Sequence, residues 1–158
     1  MDATDRRLLE LLQEDATRPV AALGTLVGLS ATPCWKRIQR LERDGVIRGR
    51  VALLDPAKVG AAVTVFVSLR TGHHSREWLD EFAETVRQMP EVMEFYRMAG
   101  DVDYMLRVVA PDIATYDTFY KRLTNTPGLT DVTSRFAMEI IKSTTALPVR
   151  EPQGRNSA

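Results

Sequence analysis

The stretch LSATPCWKRIQRLERDGVI, Leu29 to Ile47, gathers the chain's only cysteine, one of its two tryptophans and four basic residues into nineteen positions. Its spacing decides how the first third of the chain folds. Cys34, Ile38 and Leu41 recur at i, i+4 and i+7, one face of an α-helix. Lys36 and Arg40 share another face, with Arg37 flanking it. Ser30 offers an N-cap, Pro33 is tolerated in a first turn whose amides have no intrahelical partner, and Gly45 stops the helix.

Upstream, Asp2 or Thr4 can cap a helix whose Leu8, Leu11 and Leu12 fall on one side and which ends near Asp15. Pro19 suits the first turn of a second, short helix with Val20, Leu23 and Val27 inward, and Gly28 ends it. Three short helices, the last two joined through Gly28-Leu29-Ser30, outline a helix-turn-helix, whose second helix enters the DNA major groove. The formal net charge is zero, but Ser30–Arg50 carries six basic residues against two acids. The basic charge therefore sits on the helix that this motif presents to DNA.

The candidate DNA-binding residues are Ser30, Thr32, Pro33, Trp35, Lys36, Arg37, Gln39 and Arg40. Ser30 and Pro33 set the helix start, the cations face phosphates, and Thr32, Trp35, Lys36 and Gln39 approach bases. A solvated amphipathic helix is the competing reading, and Trp35 fits a packing role as well as a contact. Cys34 reads as a small apolar residue near a helix start, although that position and nearby Lys36 leave a redox role open.

Downstream, Val46 to Leu54 reads as a strand, and Asp55-Pro56 begins a connector that ends around Gly60. Alternation at Val63, Val65, Val67 and Leu69 predicts a strand. A helix over 75–89 follows, with Trp78, Phe82, Val86 and Met89 inward, then strands over 92–98 and 104–109. A helix over 112–125 turns Ile113, Tyr116, Tyr120 and Leu123 inward, and a last strand carries Val132, Ser134, Phe136, Met138 and Ile140. The order β-α-β-β-α-β is the ferredoxin-like split pattern. The expected fold class is α+β: a winged-type helix-turn-helix over 1–50, a linker strand and connector over 51–61, a βαββαβ domain over 62–147, and a disordered tail over 148–158.

Several chemistries lack a carrier. One cysteine makes no internal disulfide and, without a Cys/His set, no structural zinc site. His73-His74 with Glu77 has a spacing that surface loops share, so no metal is expected. No apolar run nears the roughly 20 residues of a bilayer span, and MDATDRRLLELLQED has acids where a secretory leader would be basic. A cytoplasmic protein without a membrane partner is expected. No nucleophile triad, phosphate loop or paired carboxylate appears, so neither an enzyme nor a cofactor is expected. AGDVDYML, Ala99 to Leu106, places a glycine and two aspartates in a turn between strands. Its amides and carboxylates suit a small zwitterion, and equally suit an ordinary turn.

LSATPCWKRIQRLERDGVIRGRVALLDPAKVG resembles the recognition helix, strand and linker of the Lrp/AsnC (feast/famine) transcription regulators, and RMAGDVDYMLRV resembles their ligand-loop segment. The resemblance covers residues 2 to 147. TPCWKR, VALLDPAKVG, HHSREW, FYKRL and FAMEIIKSTTALP are most similar to the family's cysteine-responsive branch. It implies a regulator that binds double-stranded DNA and a small amino acid, L-cysteine being favoured, and that dimerises through its sheets and assembles to octamers. It also implies ligand contacts at Gly100, Asp101, Asp103 and Tyr104, with Thr133 and Ser134 from a neighbouring subunit's last strand. A regulator of the same family answering to leucine or governing branched-chain metabolism is the rival. An amino-acid-binding enzyme or free-standing metabolite module, its basic helix incidental, is the alternative of a different class.

Overall fold

Asp2 starts the first helix by a reciprocal cap. Its carboxylate accepts from the Asp5 amide at 2.8 Å, and the Asp5 carboxylate accepts from the Asp2 amide at 3.0 Å, so two otherwise orphaned donors are satisfied at once. The computed structural model describes residues 1–149; the greater part of the expected tail, 150–158, lies outside the described residues. Two units are present, one of Met1–Ala52 with the chain from Ile141, the other of Leu53–Ile140. Residues 141–147 thus cluster with the helices, although their pattern groups them with the sheet.

In the helical unit, α1 spans Ala3–Glu14, α2 Val20–Leu26 and α3 Ala31–Arg43. Leu8, Leu11, Leu23, Cys34 and Ile38 form its core, with Leu12, Val20, Val27, Leu29 and Ile47 packed around them. Each fully buried leucine or isoleucine contributes about 1.5–3 kcal/mol of transfer free energy, so four such positions, with Cys34, hold three short helices that would be marginal alone. The side-chain amide of Gln13 donates to the Leu147 carbonyl at 3.0 Å and accepts from the Leu147 amide at 2.7 Å. That pair closes the C-terminal segment onto α1.

The strand expected over Val46–Leu54 is not formed. The chain there has no ladder partner, and a strand is defined by pairing, which apolar alternation alone does not supply. Val51, Leu53 and Leu54 remain exposed. No strand, and hence no wing, lies beside the helices among the described residues of this unit.

A single 3-10 turn at Pro56–Val59 and Gly60, in the left-handed region at φ 74°, lie near the start of the second unit. It contains β1 Val63–Thr71, α4 Arg76–Arg87, β2 Val92–Arg97, β3 Tyr104–Ala110, α5 Ile113–Thr124 and β4 Leu129–Phe136. The antiparallel sheet runs β2-β3-β1-β4. Val65, Val67 and Leu69 of β1, Leu106 and Val108 of β3, Phe82 of α4, and Phe119 and Leu123 of α5 are almost fully buried between sheet and helices.

Two expectations on inward residues fail. Ile113 is 67% exposed, and Phe119, fully buried, takes the place on α5 that periodicity gave to it. The apolar stripe begins one turn later because Asp112 caps the helix through the Thr115 amide and leaves the first turn at the rim. β4 stops at Phe136, and Met138 and Ile140 lie beyond it, exposed. Only the Ala137 amide, donating to the Thr64 carbonyl, extends the pairing there.

Candidate nucleic-acid interface and amino-acid site

The turn between α2 and α3 is tight for a reason periodicity does not reveal. The Leu29 amide donates to the Gly24 carbonyl at 2.8 Å, and a Cβ on Gly24 would stand 2.6 Å from the Leu29 carbonyl oxygen. Only glycine permits that approach. Gly28 then adopts φ 70°, and Ser30 occupies the N-cap without a side-chain hydrogen bond of its own.

On α3, burial separates the residues cleanly. Cys34, Ile38 and Leu41 face inward, while Thr32, Pro33, Trp35, Lys36 and Gln39 are exposed. Trp35 is 50% exposed and outside the core, which leaves its indole available at the surface. Lys36 has no carboxylate partner among the described residues. Burial pushes the Cys34 thiol up, so thiolate chemistry there is disfavoured.

Arg37 and Arg40 do not project freely as expected. One terminal nitrogen of Arg37 donates to Asp2 at 2.6 Å and to Asp5 at 2.8 Å, and Arg40 donates to the other Asp5 oxygen at 2.6 Å. The Asp5 side chain is 1% exposed. Burial alone would push the Asp5 carboxyl up, but the Asp2 amide, Arg37 and Arg40 outweigh it and hold it below its ordinary value. The Asp5 amide and Arg37 bring Asp2 to about 2. A buried carboxylate is stable only when paired and hydrogen-bonded, and here α3 supplies both cations.

In the sheet unit, the candidate amino-acid site gathers at one end of the sheet. Gly100 has φ 124°. The Asp101 carboxylate is 90% exposed and lies 3.9 Å from Arg70, a weak contact in water. Arg70 pairs in register with Asp131, and Ser68 with Thr133, so these side chains share the sheet face opposite the helices. Thr133 donates to Asp131 at 3.0 Å. Gly100, Asp101, Arg70, Asp131 and Thr133 thus lie in one region, and Arg70 and Asp131 went unnoticed in the sequence because both sit among ordinary strand alternation.

Three expected ligand residues are otherwise engaged. The Tyr104 ring is buried among Trp78, Phe82 and Phe95. The Ser134 hydroxyl is hydrogen-bonded to the Tyr116 hydroxyl on the helix-facing side of the sheet. Strand alternation places both on the core face, away from the exposed turn. The Asp103 carboxylate accepts from the Thr71 amide at 2.9 Å, while its amide donates to the Leu69 carbonyl and its carbonyl accepts from the Met98 amide. Asp103 therefore shapes the turn, with one carboxylate oxygen committed to it.

The helix-free sheet face also carries Phe66, Tyr96, Met105, Arg107 and Arg135. Arg107 pairs with Glu94 at 2.7 Å, Tyr96 donates to Glu94 at 2.9 Å, and Arg135 donates to Ser68 at 2.6 Å. Phe136 turns to the opposite face, where its ring meets Tyr116. Among the described residues, no three His, Cys, Asp or Glu are placed to hold a metal, and no helix is long and apolar enough to cross a membrane.

A basic helix-turn-helix in one unit and a polar turn on a ferredoxin-like sheet in the other define a DNA-binding regulator with a ligand-binding domain. Residues 1–42 match the AsnC-type helix-turn-helix domain, and residues 64–147 the Lrp/AsnC ligand binding domain. The chain is 56% identical over 150 residues to the DNA-binding transcriptional activator DecR of Escherichia coli K12, covering 94% of this chain and 99% of that one. It is 50% identical over 151 residues to a glutamate uptake regulatory protein of Zymomonas mobilis, covering 96% and 92%. An AsnC family transcriptional regulator from Agrobacterium tumefaciens superposes with a TM-score of 0.90 at 64% identity, over 94% of this chain and 97% of that one. A Neisseria meningitidis transcriptional regulator in complex with L-Met superposes with a TM-score of 0.89 at 32% identity, over 94% and 96%. The chain belongs to the Lrp/AsnC family of DNA-binding transcriptional regulators.

Proposed function

We propose that this regulator reads double-stranded DNA through the exposed side of α3 and answers to a small amino acid, L-cysteine being favoured, held at the Gly100–Asp101 end of the sheet. The observation that carries the first part is the outward set of Thr32, Trp35, Lys36 and Gln39 on a helix whose opposite side is buried. Lys36 meets phosphate or a guanine edge and Gln39 an adenine edge, as their donors and acceptors allow. Ser30 and Pro33 set the helix start. For the second part, exposed amides at Gly100 suit a carboxylate and Asp101 an ammonium, with Arg70 and Thr133 alongside. The resemblance of TPCWKR, HHSREW and FAMEIIKSTTALP to the family's cysteine-responsive branch favours cysteine. The L-Met complex on a closely superposable chain supports an amino acid of some kind.

The helix-free sheet face, with Phe66 and Tyr96 exposed, is the surface for dimerisation, and dimers associate further to octamers. A two-fold dimer presents two copies of α3, which calls for half-sites about 34–36 Å apart or a multiple of that. The protein works where DNA is, in the cytoplasm, as a regulator rather than an enzyme.

The test is a panel of cysteine, leucine, methionine and glutamate against DNA affinity and assembly size. Cysteine alone should shift either property at low concentration. A shift by leucine or glutamate with none by cysteine replaces the effector, and turnover of any amino acid replaces the class.

A further inference from the structure

The two arginines that Asp5 holds are the most basic-looking feature of the DNA-facing helix, yet their donors point to α1. We propose that Asp5 is a positioning residue for DNA reading: through Arg37 and Arg40 it fixes the rotation of α3 about its own axis, and these arginines serve that anchor rather than the phosphates. The inference rests on the reading that α3 meets DNA, and it concerns how that helix is aimed.

Three observations carry it. Asp5 is 1% exposed, and both its oxygens are committed, one to Arg37 at 2.8 Å and the other to Arg40 at 2.6 Å. The side chains that α3 buries, Cys34, Ile38 and Leu41, are all apolar. Apolar contact is non-directional and tolerates small rotations, whereas charge-assisted hydrogen bonds to a fixed carboxylate do not. Finally, Lys36 and Gln39 each immediately precede an anchored arginine. A residue lies about 100° round the helix from its neighbour, so clamping residues 37 and 40 sets the angle at which 36 and 39 leave the helix. Asp2, 53% exposed and 2.6 Å from Arg37, reinforces the clamp from its rim.

The measurement is binding to two duplexes between 50 and 200 mM salt: one selected by the wild-type protein from a random-sequence library, and an unrelated duplex of equal length. Asp5→Asn keeps the shape and removes the charge. Its affinity for the selected duplex should fall about tenfold, the order of one lost base contact, while affinity for the unrelated duplex holds or rises as two guanidiniums are released. Arg40→Gln should lower selected-duplex affinity without changing the slope of log affinity against log salt. A slope reduced by about 0.9 would make Arg40 a phosphate contact and overturn the proposal. So would an Asp5→Asn protein that binds both duplexes more tightly. If circular dichroism shows Asp5→Asn unfolded, the Arg40→Gln slope decides alone. A Lys36→Ala protein with unchanged selected-duplex affinity removes α3 as the reader altogether. One that binds weakly, beside a harmless Asp5→Asn, removes only the positioning role.

Discussion

The helical unit and the sheet unit both turn charged residues into scaffolding, but by different means. In the helical unit, a buried carboxylate gathers two guanidiniums from a helix more than thirty residues away. In the sheet unit, Asp103 holds a backbone amide across neighbouring strands, and the core beneath it is built almost wholly of apolar side chains, with the Tyr116–Ser134 hydroxyl pair at its edge. The first unit adds ionisation and one close backbone approach to its apolar core; the second adds ladder hydrogen bonds to a larger one. Polar residues therefore carry unequal weight in the two. In each, exposed residues that another molecule can reach are neighbours of the anchored ones: Lys36 and Gln39 beside Arg37 and Arg40, Gly100 and Asp101 near Asp103.

The sharpest break of that contrast is Gly24→Ala. The added methyl meets the Leu29 carbonyl at 2.6 Å, backbone that cannot rotate away, and should cost the helical unit about 2 kcal/mol, in the range of overpacking. Urea denaturation followed by Trp35 fluorescence in a Trp78→Phe background would show it; an unchanged midpoint would mean the turn opens without cost.

Next in size is the pair Asp103→Ala and Asp101→Ala. Loss of the Asp103 carboxylate strands the Thr71 amide, at about 1–3 kcal/mol for a buried donor left unpaired, and should lower the sheet unit's melting temperature. Asp101→Ala should leave stability untouched and weaken the amino-acid response. Equal destabilisation by the two would erase the distinction between anchor and neighbour.

The smallest expected effect is on acidification. Asp2 and Asp5 are held below their ordinary value of 3.8 in the folded chain, Asp2 at about 2. Groups with depressed folded values contribute stability above the unfolded value and lose it as pH falls through the folded one. The helical unit should therefore weaken between about pH 4 and pH 2, and Asp2→Asn should flatten that dependence. Helical-unit melts over this range, with and without the substitution, check the sign.

Much of this was legible in the sequence where a local pattern suffices. Helical spacing located α1, α2 and α3, alternation located β1 and the body of β4, and with the intervening elements they supplied the βαββαβ order. What failed depended on partners distant along the chain. Val46–Leu54 has a strand's composition without a strand's partner. Arg37 and Arg40 look like phosphate contacts until Asp5 is found beside them. Tyr104 and Ser134 sit in a loop-like motif and at a sheet end, yet strand alternation sends both toward the helices. Gly24 carries no signal beyond being a glycine inside a helix, a position it disfavours by about 1 kcal/mol, and that cost was the available clue.

The Gln13 to Leu147 pairing has a consequence for synthesis. Its two partners are separated by 134 positions, and the entire sheet unit lies between them. At roughly 5–20 residues per second, α1 waits some 7 to 27 seconds on a ribosome before its Gln13 amide can be capped. In that interval the sheet unit can complete its core, so the helical unit, first to emerge, acquires this contact only after the whole sheet unit has been synthesised.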